Sequence, residues 1–447
     1  MQISVIGTGY VGLVTGTCLA DFGLQVTCVD KDGSKIELLN SGKVPIYEPN
    51  LESLISKNVA DGRLSFSTNL KRAVGQSQVI FIAVGTPSKN DGSADLSQVE
   101  EVAGEIACSL NDYKVIVNKC TVPVGTACKL KQIIANSLSS VVMGNLEKKQ
   151  SQPKPAPFDI ISNPEFLREG SAIYDFTHPD KIVIGYETER ARQIMQEIYR
   201  PLYLLDAPFI FTTLETAEMI KYACNTFLAT KISFINEIAN LCDRVGADVH
   251  QVAGAMGMDG RISPKFLHPG PGFGGSCFPK DTRALLSTAK DHSYDFKLLK
   301  AVGEVNERQR QIVVAKIEKA LGNLNGKNIA ILGLAFKQNT DDVRESPALD
   351  IIKMLLQKGA QIRCFDPMAM GNTGKIFSAL TYCADEYETA QNSDALVILT
   401  EWNQFRNLNL PKIKKLLNNP ILLDMRNLYE PDKVRKIGFT YIGMGRR

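Results

Sequence analysis

Histidine is scarce in this chain. The four present, His178, His250, His268 and His292, stand at no metal-ligand spacing from one another or from a cysteine, so no zinc site is expected. The ten cysteines form no Cys-x-x-Cys pair and follow no regular spacing. Gln2–Ile6 opens a strand at once, which leaves no room for a secretory leader. A disulfide framework is therefore not expected, and an intracellular, cytoplasmic location is. Cys18, Cys28, Cys108, Cys224, Cys242, Cys364 and Cys383 sit in apolar or strand-like settings, where a free thiol behaves as a small buried hydrophobe. Long apolar runs are also missing: Ile80–Val84 and Ile329–Leu334 are far too short to cross a bilayer. Nor does one sign of charge dominate. Lys and Arg number 51 against 48 Asp and Glu, a formal +3, which argues against a nucleic-acid or membrane partner. With 44% hydrophobic and 22% charged residues over 447 positions, the chain has globular composition and a length suited to about three domain-sized units.

What is present is an alternation of short apolar runs with longer periodic segments. Gln2–Ile6, Gln25–Val29, Val79–Val84, Lys114–Lys119, Asp159–Ser162, Lys181–Gly185 and Phe209–Thr212 read as strands buried on both faces of a parallel sheet. The helical segments between them make a βαβ series. Gly144–Pro157, polar and containing Pro153, Pro155 and Pro157, reads as a surface loop. From Thr213 to Val245 a single helical pattern runs without proline, with Leu214, Ala217, Ile220, Phe227, Leu228, Ile235, Ile238 and Leu241 at helical spacing. At about 1.5 Å per residue it extends roughly 50 Å, the length of a helix that bridges domains or packs on a second copy. A second α/β series then begins, with strands Asn328–Leu332, Gln361–Phe365, Ala395–Thr400 and Ile421–Asp424 and a helix over Pro347–Lys358. The expected fold is α/β: two Rossmann-like, doubly wound domains joined by a long central helix and a helical middle, divided as 1–212, 213–322 and 323–447.

Gly7-Thr8-Gly9-Tyr10-Val11-Gly12 follows the first strand and opens a helix. Gly7 serves the tight turn, Gly9 lets backbone approach a pyrophosphate, and Gly12 lets helix pack on strand. Asp30 ends the second strand, where a carboxylate binds the ribose hydroxyls of NAD and repels the 2′-phosphate of NADP; Lys31 and Lys35 soften that preference. Val84-Gly85-Thr86-Pro87 and Lys119-Cys120-Thr121-Val122-Pro123 lie at strand carboxyl ends, as does the loop Asn163–Gly170 with Glu165. Such loops line the ligand crevice of open α/β sheets, although proline and glycine also end strands as ordinary turn chemistry. In Gly270–Asp281, four glycines precede Cys277, and a helix starts near Pro279. A cysteine just before a helix N-terminus, beside Lys280, has its thiolate favoured by dipole and charge, and the glycines leave its face open to a ligand. A buried structural cysteine in a tight turn is the plainer alternative. Lys221 and Asn225 share one helix face, and Lys337 and Arg344 follow the first strand of the second series as phosphate-seeking cations.

The segments GPGFGGSCFPKD, NPEFLREGSA, CTVPVGT, GLAFK and DDVRES, with the Lys221–Asn225 helix, together resemble the UDP-glucose/GDP-mannose dehydrogenase family over essentially the whole chain. The departures are an insertion at Lys148–Pro157 and Cys120 where a serine is more usual. The resemblance implies an NAD-dependent, four-electron oxidation of the C6 alcohol of a sugar nucleotide to a carboxylate. Asp281 would act as base, Lys221 and Asn225 would stabilise oxygen, Cys277 would carry a thiohemiacetal and then a thioester, and Glu165 with Thr121 would activate the hydrolytic water. NAD would be held by Gly7, Gly9, Tyr10, Val11, Gly12, Asp30, Lys35, Thr86, Thr121, Lys280 and Arg344. The UDP-sugar would contact Glu165, Phe166, Leu167, Lys221, Asn225, Phe273, Gly274, Lys337 and Arg426, with Arg261 reaching the partner of a homodimer built on the central helix. The FPKD segment leans toward UDP-glucose, with GDP-mannose and UDP-N-acetylhexosamines as rivals. A one-step hydroxy-acid dehydrogenase would need no cysteine, and a non-catalytic nucleotide-binding regulator would need none of Glu165, Lys221, Cys277 and Asp281 together.

Overall fold

The computed structural model describes residues 1–147, 156–205 and 207–446. They fall into two compact units, Met1–Cys224 with Arg283–His292, and Asn225–Thr282 with Ser293–Arg447. The first is built on strands β1 Gln2–Ile6, β2 Gln25–Val29, β3 Leu64–Ser67, β4 Val79–Ile82, β5 Lys114–Asn118, β6 Phe158–Ser162, β7 Ile182–Gly185 and β8 Phe209–Thr212, in the order β3-β2-β1-β4-β5-β6-β7-β8. Successive strand residues face opposite sides. Accordingly Ile3, Val5, Phe81 and Val117 join one core, and Ile6, Ile80, Ile82 and Ile116 the other. Burial on both faces is why these strands read as unbroken apolar runs.

The sheet departs from the expected parallel arrangement at one junction, where Ser162 of β6 pairs antiparallel with Gly185 of β7. The chain between them is loop apart from the short helix Ala172–Thr177, so no full helical crossover forms and the strand turns back. The edge strand β3 was not expected. With one neighbour and an alternating Leu-Ser-Phe-Ser pattern, it lacks the apolar run that marks an inner strand. The helix Thr126–Glu147 runs into the segment read as the loop Gly144–Pro157, and the rest of that loop, 148–155, lies outside the described residues. Cys108, expected to be buried, is exposed because it caps the C-terminus of the Ser97–Ala107 helix, and Cys224 is only half-buried.

The second unit has an all-parallel sheet of β9 Asn328–Leu332, β10 Gln361–Phe365, β11 Thr381–Tyr382, β12 Ala395–Ile398, β13 Ile421–Asp424 and β14 Thr440–Gly443, in the order β11-β10-β9-β12-β13-β14. Its two edge strands, β11 and β14, are again those the sequence pattern does not mark. In the chain, the 32-residue helix Leu214–Val245 separates the two sheets, as expected. No helix among the described residues is long and apolar enough to cross a membrane.

Both sheets share a local design. The Gly7 N–H donates to Val29 O at 2.7 Å, and the Gly333 N–H to Phe365 O at 2.9 Å. An aspartate then follows each second strand. Asp366, 1% exposed, accepts from the N–H groups of Leu334 (2.7 Å), Ala335 (3.0 Å), Met368 (2.9 Å) and Ala369 (2.8 Å) and from the Trp402 indole (3.0 Å). Leaving one buried donor unsatisfied costs about 1–3 kcal/mol. Asp366→Ala is therefore expected to destabilise the second unit by about 3 kcal/mol or more, read as a lower urea midpoint, with Asp366→Asn less affected. An unchanged midpoint would mean that the five donors find other partners.

Candidate active site

The turn after β1 is shaped by its glycines. A Cβ on Gly12 would lie 1.9 Å from the Gly7 carbonyl oxygen, whereas one on Gly9 would meet nothing within 4 Å. The helix thus packs tightly on the strand, and the face at Gly9 stays open. At the end of β2, Asp30 accepts from Thr8 N (2.9 Å), Thr8 Oγ1 (2.7 Å) and Asp32 N (3.0 Å), with Lys35 Nζ at 3.8 Å. Burial pushes this carboxyl up, but the Asp32 and Thr8 hydrogen bonds and Lys35 outweigh it and hold Asp30 below the usual carboxylate range. An open glycine, a helix N-terminus and an ionised acid are what a dinucleotide needs, so the turn fits NAD. Lys31 is drawn off to Glu101 at 2.9 Å. Tyr10 has a second use, since its hydroxyl accepts from Gly170 N at 2.7 Å. Thr86 Oγ1 donates to Thr121 O at 2.9 Å, so two threonines expected near the crevice do meet.

On the loop after β6, Glu165 is 5% exposed and pairs with Lys221, 3% exposed, at 2.9 Å. Leu167 N also donates to the Glu165 carboxylate. The half-buried Phe166 ring lies beneath Lys181 Nζ at 4.4 Å and Lys221 Nζ at 5.2 Å, a cation–π arrangement. The far end of the loop is fastened by buried Glu48, which accepts from Gly170 N (2.6 Å) and Ala172 N (2.7 Å). Sequence reasoning missed Glu48. It also missed Lys119, which closes β5 and donates to Asn163 beside the Glu165 turn.

In the second unit, Cys277 immediately precedes the helix Phe278–Asp291 and is half-buried. Ser276 Oγ lies 3.5 Å from its sulfur, and its carbonyl accepts from Asp281 N at 2.8 Å. Asp281, 1% exposed, accepts from Asn225 Nδ2 at 2.6 Å and pairs with Lys280. The loop before the cysteine is tied to buried polar residues of the helices. Gly270 N donates to Asn236 (2.8 Å), Gln309 donates to Gly270 O (2.9 Å), and Asn306 bonds both Phe273 N (2.7 Å) and Phe273 O (3.0 Å). Arg310 adds a bond to Phe273 O. The glycines next to the cysteine let other parts of the chain come close. A Cβ on Gly274 would fall 2.2 Å from Glu345 O, and Gly275 N donates to Arg344 O at 2.9 Å.

The second-series cations gather by the same loop. Arg426 donates to Leu399 O (2.7 Å) and Phe336 O (3.3 Å) and faces Glu401 at 3.1 Å. Lys337 Nζ stands 5.5 Å from the Phe336 ring. Arg344 forks onto Asp342 with its side chain largely exposed. Arg261 projects into solvent, its side chain 90% exposed, and pairs with the neighbouring Asp259. Lys221 and Asn225 lie on the same helix, one engaging Glu165 in the first unit and the other Asp281 in the second. No group of three or more metal-ligating side chains occurs among the described residues.

Three family models match the chain: the NAD binding domain of the UDP-glucose/GDP-mannose dehydrogenase family over residues 1–203, its central domain over 215–308 and its UDP binding domain over 330–431. The chain is 50% identical to a UDP-glucose 6-dehydrogenase of Rhizobium meliloti, covering 100% of both. It is 49% identical to the UDP-glucose 6-dehydrogenase TuaD of Bacillus subtilis, covering 100% of this chain and 93% of that one. Among solved structures, a UDP-glucose dehydrogenase of Pyrobaculum islandicum superposes with a TM-score of 0.89 at 37% identity, covering 100% of this chain and 98% of that one.

The ionised Asp30 at the mouth of the turn sets the expected cofactor response. Replacing it removes a charge-assisted acceptor for a ribose diol, so Asp30→Ala should weaken NAD binding by about tenfold, roughly 1.4 kcal/mol, and narrow the gap to NADP. Titration calorimetry with both dinucleotides checks this. Equal affinities in the unmutated protein would show that Lys35 overrides the carboxylate.

Proposed function

Because the chain belongs to the UDP-glucose/GDP-mannose dehydrogenase family, with NAD as its cofactor, we propose that it oxidises the C6 alcohol of UDP-glucose twice, to UDP-glucuronate, through a covalent bond to Cys277. The observation that carries this reading is the setting of Cys277. It is a half-buried thiol at a helix start, on a loop whose backbone is tied by Asn236, Asn306 and Gln309, one helical turn before the buried Asp281 with its partners Asn225 and Lys280. Bound NAD⁺ supplies the hydride acceptor for each oxidation.

The chain's own groups supply the rest. Asp281 takes the proton of the alcohol, while Lys221 and Asn225 stabilise charge on the oxygen. The Cys277 thiolate adds to the aldehyde carbon to give a thiohemiacetal, which becomes a thioester at the second oxidation. Glu165, with Thr121, draws a proton from the water that cleaves the thioester, releasing carboxylate and free thiol. Phe166, Leu167, Phe273, Gly274, Lys337 and Arg426 hold the UDP-sugar in this reading, and Thr86, Lys280 and Arg344 join the cofactor contacts. The three-part division 1–212, 213–322 and 323–447 belongs to the same proposal and is supported by the three matched family segments. So does a cytoplasmic location, since the charged cofactor and sugar nucleotide do not cross a bilayer unaided.

A homodimer is part of the proposal too. Phe227, Phe234 and Leu241 recur every seventh residue along the central helix and are 65%, 50% and 53% exposed. An apolar stripe of this kind is a mark of an interface, and exposed Arg261 suits a reach toward a partner copy. Phe234→Asp is expected to shift the protein toward monomer in sedimentation velocity; an unmutated protein that is already monomeric would end the dimer reading.

The chemistry is tested by counting NADH per sugar consumed across UDP-glucose, UDP-N-acetylhexosamines and GDP-mannose. Two per UDP-glucose are expected. Cys277→Ser should stall after one oxidation or nearly abolish turnover. Glu165→Gln should give a burst of roughly two NADH per active site and then slow by about 10²–10⁴-fold, with an acyl adduct in the intact mass that a Cys277→Ala second substitution removes. Two NADH per sugar from Cys277→Ser at the parental rate would sink the covalent route.

A further inference from the structure

Two buried ammonium groups share one buried carboxylate at the carboxyl ends of β5 and β6. Lys119, Lys221 and Glu165 are 5%, 3% and 5% exposed. Lys221 takes the direct ion pair, at 2.9 Å. Lys119, the residue after β5, is held instead by neutral groups. Its Nζ donates to Asn163 Oδ1 at 3.0 Å and to the Tyr199 hydroxyl at 3.3 Å, and lies 5.8 Å from the Tyr199 ring centroid. The network is closed: the Tyr199 hydroxyl donates to the same Asn163 oxygen at 2.7 Å, and Asn163 Nδ2 donates to Val183 O at 2.8 Å. Asn163 begins the turn that carries Glu165.

Among the described residues Lys119 has no direct ion pair, so burial favours loss of its proton. We propose that Lys119 is a positioning residue for Glu165, fixing through Asn163 the turn that carries the carboxylate. This rests on the reading of Glu165 as the hydrolytic base. The groups that face Lys119 are Glu165 on the loop after β6, Lys221 on the central helix, and Tyr199 after the Glu189–Ile198 helix. Burial pushes the Tyr199 hydroxyl up and keeps it neutral. For Lys119, burial drives the ammonium down, Glu165 draws it back up and Lys221 pushes it down again, leaving it at about 7.

The sign follows. Below that value the Lys119 ammonium holds Asn163 Oδ1 with a charge-assisted hydrogen bond and fixes the turn of Glu165. Above it the neutral amine donates more weakly and the turn is held less firmly. Thioester cleavage should therefore slow as pH rises through about 7.

The test follows decay of the acyl adduct on Cys277 after a single turnover with UDP-glucose and NAD⁺, between about pH 6 and 8. Lys119→Met should remove the inflection and lower kcat by about tenfold, with the KM for UDP-glucose changed less than about threefold. Tyr199→Phe removes an acceptor that favours the charged ammonium, so its inflection should move down by about half a unit; it also carries the test if Lys119→Met does not fold. An inflection that survives in Lys119→Met, or stays in place in Tyr199→Phe, overturns the role of Lys119. No acyl adduct in the unmutated protein overturns the reading of Glu165 as well, which separates the two failures.

Discussion

Glu165 and Lys221 enter the interior of the first unit only as a pair. An isolated ionised carboxylate there would cost several kcal/mol, and removing either partner leaves the other uncompensated. Much of the surrounding architecture serves that 2.9 Å contact. The loop after β6 is fastened at one end by Asn163 and at the other by Glu48, whose two oxygens hold Gly170 and Ala172. Phe166 slides its ring under the Lys221 ammonium. The antiparallel bridge between Ser162 and Gly185 replaces the helical crossover that would otherwise occupy this stretch of chain, leaving it free to be a loop.

The second unit solves a related problem with neutral groups. A loop rich in glycine loses much conformational entropy when ordered, yet Gly270–Gly275 is held in one conformation. Asn236, Asn306, Gln309 and Arg310 supply buried amide and guanidinium groups that bond the backbone of Gly270 and Phe273. The close approach at Gly274 then admits no side chain. The cysteine at the end of the loop is thereby presented from a rigid mount, although the loop itself is built from the most flexible residue type.

How much of this was legible in the sequence depended on how each residue is buried. Inner strands such as β1, β4 and β9 declare themselves because both faces are covered. The edge strands β3, β11 and β14 do not, since they are short or of mixed polarity, whereas the edge strand β8 keeps its Phe-Ile-Phe run and was read. The dinucleotide turn and Asp30 were readable because spacing alone encodes their geometry. Lys119 was not: it was read only as the last residue of the strand Lys114–Lys119, and only the fold brings Asn163 and Tyr199 onto its ammonium. Asn306, Gln309 and Arg310 likewise read as the wet face of a helix, and all three are buried. The glycines before Cys277 were recognised, but the close approach of Glu345 O at Gly274 was not, because a sequence does not show what lies against a missing side chain.

The two aspartates that follow β2 and β10 differ in one respect. Asp30 keeps an oxygen edge toward solvent, its side chain 12% exposed, whereas both oxygens of Asp366 are occupied by five internal donors. A saturated carboxylate has no lone pair left for a ribose diol, so of the two turns only the one after β1 presents that acceptor. In the proposed reaction both electron pairs then leave through the same doorway, one after the other. In that reading the half-oxidised sugar has to wait on sulfur through a change of carrier.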